Sequence, residues 1–184
     1  MKSLFPLIGL LLVCSSAAAQ VPEGSRDTSR PLPEKLDQVQ RRHDGKSTIT
    51  LEMAQKMANA AEAAASAKNF RIVISIVDQH GNLKYFRRMD DTSAGSIEVS
   101  QMKASTAARF PVSTKTLAER SAKLPGNPYG SIPGFLLLEG GLPIITKEGM
   151  HLGGIGISGA TPELDASFAQ AGIDEFLSGH LGYQ

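Results

Sequence analysis

The stretch Gly153–Asp165, GGIGISGATPELD, decides how this chain folds. It reads as a glycine-laced strand that ends in a tight turn and feeds a capped helix. Thr161 is the expected N-cap and Pro162 the first helical residue, with Glu163 and Asp165 in the first turn. Gly154, Gly156 and Gly159 spell G-x-G-x-x-G, the pattern of a dinucleotide-binding turn. That fold needs the glycines between strand and helix, and a second strand afterwards with an acidic ribose ligand. Here two of the glycines lie within the strand, and the sequence stops after the following helix, so a Rossmann site is rejected. The glycines are read instead as points where another backbone or a flat ligand approaches the sheet closely. The helix start after Gly159 is suited to a small anion such as a carboxylate, although Glu163 and Asp165 argue against a strongly charged one.

Working back toward the N-terminus, Met150 to Ser158 is the strand itself. Phe135 to Leu138 and Leu142 to Thr146 are two short strands before it, with Lys147–Gly149 as the turn. The segment from Leu124 to Gly134 carries three prolines, and a stiff loop of this length usually shapes a site. Helices are expected over Ser96 to Arg109, stopped by Pro111, and over Thr114 to Ala122. Arg71 to Val77 and Leu83 to Met89 form a hairpin around Asp78–Asn82, with His80 near its tip. Thr50 caps a first helix in which Leu51, Ala54, Met57, Ala58, Ala61 and Ala65 recur at helical spacing, and Asn69 stops it. The alanines suit close contact with a sheet. The order αββαα–βββα is made of hairpins rather than crossovers, which predicts an α/β (α+β) fold with an antiparallel sheet flanked by helices.

The first 19 residues have the pattern of a secretory signal: Lys2, an apolar run from Leu4 to Val13, and Ala17–Ala19 before the cleavage point. The run is too short to span a bilayer, and Val13 before Cys14 does not suit a lipobox. The expected location is the periplasm or the medium. Cleavage removes the sole cysteine, and with it any disulfide or thiolate chemistry. Residues 20–46 are polar and proline-bearing and read as a flexible extension, with at most a helical turn or two over Leu36–Arg42; residues 47–184 form the domain, enough for one core. With 19 basic and 18 acidic residues there is no electrostatic case for nucleic acid, and without tryptophan and with 5% aromatics there is none for stacking on bases.

The four histidines, His43, His80, His151 and His180, show no metal-ligand spacing. His43 and His180 read as solvated. His80 and His151 read first as surface residues, though imidazole suits iron and haem. No G-x-S-x-G elbow or visible acid–base pair is present, so no catalytic residue is nominated. Arg87–Asp91 is either a solvated charged turn or the polar rim of a ligand site. Lys103 stands out on an otherwise small-residue helix and suits a ligand carboxylate.

The blocks ITLEMA, IVDQHGNLKYFRRMD, KASTAARF, EGGLPI and GGIGISGATPELDASFAQAGI, in that order over roughly residues 48–178, resemble the GlcG/HbpS family of haem-binding proteins, which includes the C-terminal domain of PduO-type proteins. The resemblance implies a profilin-like sandwich with a central five-stranded antiparallel sheet. It implies homo-oligomers, from dimers to octamers, and haem binding in some members. Carried to this chain, it puts haem at a subunit surface smoothed by glycines, with His80, Thr106 or His151 near iron and Lys103 or Arg88 pairing with propionates. Family members commonly have a small residue where His80 stands. The expected function is an exported protein that carries, stores or senses haem. The alternatives are a module for a small organic acid, held by the last helix and Lys103, and a haem-dependent oxidoreductase.

Overall fold

In a computed structural model, residues 48–179 are described. The signal segment, the extension with His43 and the helical turn expected there, and His180 lie outside those residues. Thr50 caps α1, Leu51–Ser66, by accepting the Met53 backbone N–H. After Asn69, at φ 60°, the chain forms β1, Val73–Asp78, and β2, Leu83–Arg88. Next come α2, Gly95–Arg109, and α3, Thr114–Ala122, followed by a 3₁₀ turn, Pro128–Ser131. Strands β3, Gly141–Ile145, and β4, His151–Ser158, lead to α4, Pro162–Gly179. Pro162 opens that last helix, and the Leu164 N–H donates to the Thr161 hydroxyl.

The strands form one antiparallel sheet in the order β2-β1-β4-β3. Four strands are present among the described residues, not the expected five. Phe135–Leu138 stays a loop because its backbone groups are satisfied elsewhere. The Leu136 N–H donates to Thr106 Oγ1 at 2.9 Å, and the Leu138 carbonyl accepts from Thr114 Oγ1 at 2.7 Å. Side chains of α2 and α3 thus take the bonds that a neighbouring strand would have taken.

The register sorts the two faces of the sheet. Ile74 pairs with Ile157 and Ile76 with Ile155, so the branched residues share one face. Helices α1 and α4 cover it side by side, with Phe168, Ile173 and Phe176 of α4 in the core. The alanine face of α1 packs mainly against α4 and meets the sheet only toward β1 and β2, more helix contact than the sequence suggested. Gly172 permits it: a Cβ there would lie 2.7 Å from the Met57 carbonyl oxygen.

On the opposite face, Ser75 pairs with Gly156 and Val77 with Gly154. Here α2 lies almost directly on the backbone of β4. A Cβ on Gly154 would come within 2.4 Å of the Ala104 carbonyl oxygen, and one on Gly156 within 2.2 Å of that of Ser100. The glycine-smoothed flank expected to receive a flat ligand is therefore filled by the chain's own helix. Ser75 and Ser100 share a buried hydrogen bond of 2.8 Å across this contact. No helix among the described residues is long and apolar enough to cross a membrane.

Candidate functional site

The antiparallel register brings the β1–β2 turn and the β3–β4 turn to the same end of the sheet. The Asp78 carboxylate organises the first of these turns. Its Oδ1 accepts the backbone N–H groups of His80, at 2.8 Å, and Asn82, at 2.9 Å, and its Oδ2 accepts the Asn82 side-chain amide at 3.1 Å. Partial burial acts to raise the Asp78 pKa, but these donors outweigh it and hold the carboxyl below its ordinary value. Gly81 completes the turn at φ 86°, leaving His80 exposed at the tip.

Gly81 abuts the last turns of α2. A Cβ there would lie 3.0 Å from Ser105 Oγ and 3.1 Å from Arg109 Nε, at a φ that already disfavours side chains. Between the hairpin, α2 and the proline loop runs a groove of about 270 Å³. Val77, Leu83 and Met102 give it apolar walls, with Ser105 and Arg109 along one side and Gly134 at the loop. Leu83 is 54% exposed although it is a large aliphatic residue. Arg109 is exposed, and its guanidinium makes no hydrogen bond or ion pair among the described residues.

Two contacts fix the loop side of this groove. The first is the Thr106 bond to Leu136 already described. The second is aromatic: Phe110 meets Phe135 and Tyr129 edge to face, with ring centroids 5.2 and 5.9 Å apart.

The residues singled out in the sequence do not converge on one point. His80 and His151 stand at the same end of the sheet, where His151 Nε2 lies 3.0 Å from the Gly153 carbonyl oxygen and donates to it. Arg88 stands at the other end of β2, opposite Val73. That is five residues from Leu83, or about 17 Å along the strand, too far for one ring to take iron from His80 and a propionate from Arg88. Its guanidinium is bound to Thr92 through Nε and Nη2, both at 2.9 Å. Thr106 is 1% exposed, with its oxygen engaged by Leu136.

Lys103 is also 1% exposed. Its ammonium donates to Asp165 Oδ2 at 2.8 Å and to the Ile157 carbonyl oxygen at 2.9 Å. The other Asp165 oxygen accepts the Ala160 N–H at 3.0 Å. Burial pushes the Asp165 carboxyl up, against the opposing pull of Lys103 and Ala160. The Lys103 charge thus joins α2 to α4 and is not offered to a ligand.

The sequence reading missed Asp165 as a partner for Lys103, and it missed Ser105 and Arg109. A signal for the latter two was present: residues 101, 105 and 109 fall four apart and share a helix face. Among the described residues, no group of three histidine, cysteine, aspartate or glutamate side chains is placed to hold a metal ion.

The chain matches the family model for the haem-degrading protein HbpS-like over residues 49–174. It is 37% identical over 133 residues, 71% of this chain and 93% of the other, to an uncharacterized 15.0 kDa protein of the dhaT–dhaS intergenic region of Citrobacter freundii. Among solved structures, a double mutant of HbpS from Streptomyces reticuli superposes with a TM-score of 0.66 at 35% identity, over 76% of this chain and 90% of the other. The haem complex of PduOC does so with a TM-score of 0.63 at 29% identity, over 70% of this chain and 94% of the other.

Proposed function

Because the chain belongs to the HbpS-like family, we propose that it is an exported protein that binds an iron porphyrin in the groove between the β1–β2 turn and α2. One observation carries this reading: an apolar groove with an exposed imidazole at its hairpin edge and an unpaired guanidinium on its wall. Val77, Leu83 and Met102 would lie against the macrocycle, Arg109 would pair with a propionate, and His80 would face the iron. The bound iron would supply ligand exchange and redox chemistry, while the residues named here bind, orient and shield the ring. Likeness to the haem complex of PduOC supports the ligand class. A groove of about 270 Å³ covers only part of a porphyrin, and the exposed Leu83 and Phe110 beside it suit closure by a second copy. The profilin-like framework and the homo-oligomer belong to the same reading, as do the signal segment and a periplasmic or secreted location.

The role that fits is haem carriage, storage or sensing. Titration of the purified protein with hemin should give a saturable Soret shift. His80→Ala should change the position of the band, and Arg109→Gln should weaken binding about tenfold, the scale of a lost charge-assisted pair. A Soret response that never saturates, or one that both variants leave unaltered, would reject the assignment. The family's description as haem-degrading favours a second reading, that of a haem-dependent oxidoreductase. Loss of the Soret band under peroxide or reductant, with release of ring-opened product, would favour that reading over carriage.

A further inference from the structure

A second hollow lies at the opposite end of β2 from the groove. We propose that it binds a small polycarboxylate through Arg71 and Arg88. The hollow has a volume of about 560 Å³, within the range of small-molecule sites. Its lining brings together Arg71, Arg87 and Arg88 with Glu62 and Asp90.

The three arginines are not equivalent. Arg87 serves the fold: it forms an ion pair with Glu62 and donates to the Tyr85 hydroxyl through Nε and Nη2. Its charge is neutralised where it stands. Arg88 is fixed but not neutralised. Both of its side-chain hydrogen bonds among the described residues run to Thr92, through Nε and Nη2, and neither acceptor carries a charge. A guanidinium has five N–H donors, so three of them, including both on Nη1, have no partner among the described residues. That leaves a pre-set Nη1–Nη2 edge with the spacing a carboxylate accepts.

Arg71 makes no hydrogen bond or ion pair among the described residues. The Met89 N–H donates to the Ile72 carbonyl oxygen, and the Ile72 N–H reaches the Met89 sulfur, so the β1–β2 pairing runs one step past the strands. Beyond this step the second chain turns at Asp90, and Arg71 and Asp90 both line the hollow. No ion pair forms between them, and the hollow lies between these elements. The uncommitted charges are two cations and one carboxylate. Two cations draw more than one carboxylate group, and Asp90 suits a ligand hydroxyl, which it can accept. Monocarboxylates would use only half of the available donors.

The test is calorimetric titration of the protein with citrate at low ionic strength, with inorganic phosphate as comparator. Citrate should bind saturably. Arg71→Gln and Arg88→Gln should each weaken it about tenfold or more, and Asp90→Ala, which removes the hydroxyl acceptor, should weaken it severalfold. Arg71 is exposed and carries no structural bond, so the Arg71→Gln variant isolates ligand loss from misfolding. Arg71→Gln should leave the hemin titration unchanged, which separates this site from the porphyrin groove. Citrate affinity unaffected by either arginine variant would overturn the proposal. So would phosphate binding as tight as citrate, because it would show no preference for several carboxylates.

Discussion

Replacing Lys103 with Met keeps most of the side-chain volume and removes one charge from the interior. In the native chain Lys103 and Asp165 are 1% and 2% exposed and 2.8 Å apart. After the substitution, Asp165 keeps only the Ala160 N–H as a partner, and the Ile157 carbonyl loses the lysine donor. Breaking a buried pair from one side costs about 3–5 kcal/mol, a large fraction of the roughly 5–15 kcal/mol that holds a domain together. Asp165→Asn should cost a similar amount, because it strands the ammonium instead. The double variant strands neither charge and should cost only about 1 kcal/mol, giving a coupling energy of at least about 5 kcal/mol. Urea unfolding at constant m reads all three variants.

The pH dependence sharpens the prediction. Without Lys103, burial is opposed only by the Ala160 N–H, and the folded pKa of Asp165 rises further above the unfolded value of about 3.9. The folded state then binds the extra proton. Stability must fall as pH rises from about 4 through the folded pKa, by at most about 1.4 kcal/mol per pH unit. The gap between Lys103→Met and the parent should therefore be wider at pH 8 than at pH 5. A cost under about 1 kcal/mol, an equal cost at both pH values, or strict additivity in the double variant would refute the reasoning.

Other expectations follow from the same geometry. Gly156→Ala places a methyl 2.2 Å from the Ser100 carbonyl oxygen and 2.4 Å from the Ala104 nitrogen; it should destabilise by at least the 1–3 kcal/mol typical of overpacking. Gly95→Ala meets nothing within 4 Å and should be neutral or stabilising by about 0.5–1 kcal/mol in the same urea assay. Asp78 has a lowered pKa, so its contribution is present above about pH 4 and is lost as pH falls through the folded value. Asp78→Asn should lower stability at pH 7 and flatten the acid limb of the stability curve. Thr106→Val removes the acceptor for the Leu136 N–H, at a cost of about 1–3 kcal/mol if that group stays unsatisfied. Hydrogen exchange at Leu136 should accelerate by tenfold or more in that variant, while exchange in β1 changes little.

Periodicity and turn chemistry made most of the fold readable. The alternation Ile72, Ile74, Ile76 marked β1, and Thr50 and Thr161 marked the starts of two helices. The failure at Phe135–Leu138 has a definite cause: an apolar run was read as a strand, but the Thr106 and Thr114 hydroxyls, 30 and 24 residues away, take its backbone bonds. Local sequence carries no record of such partners. The glycines of β4 were read correctly as sites of close approach, yet whether a helix or a ligand approached them depended on where α2 came to rest. Lys103 misled for a similar reason. A lone lysine among small residues looks available, and only the tertiary fold reveals the aspartate 62 residues downstream that holds it.

The seating of α2 on bare strand backbone has a consequence for whatever occupies the groove beside it. A helix with side chains beneath it has compressible padding and yields when a guest presses from above. Here the peptide planes of β4 act as a hard stop, and interiors packed this closely resist deformation. Met102, Ser105 and Arg109 therefore form an unyielding jaw, and the opposing hairpin and proline loop are the parts that must adjust. The energy of fitting an awkward guest falls on that opposing side, so a change in ligand is registered there rather than in the sheet.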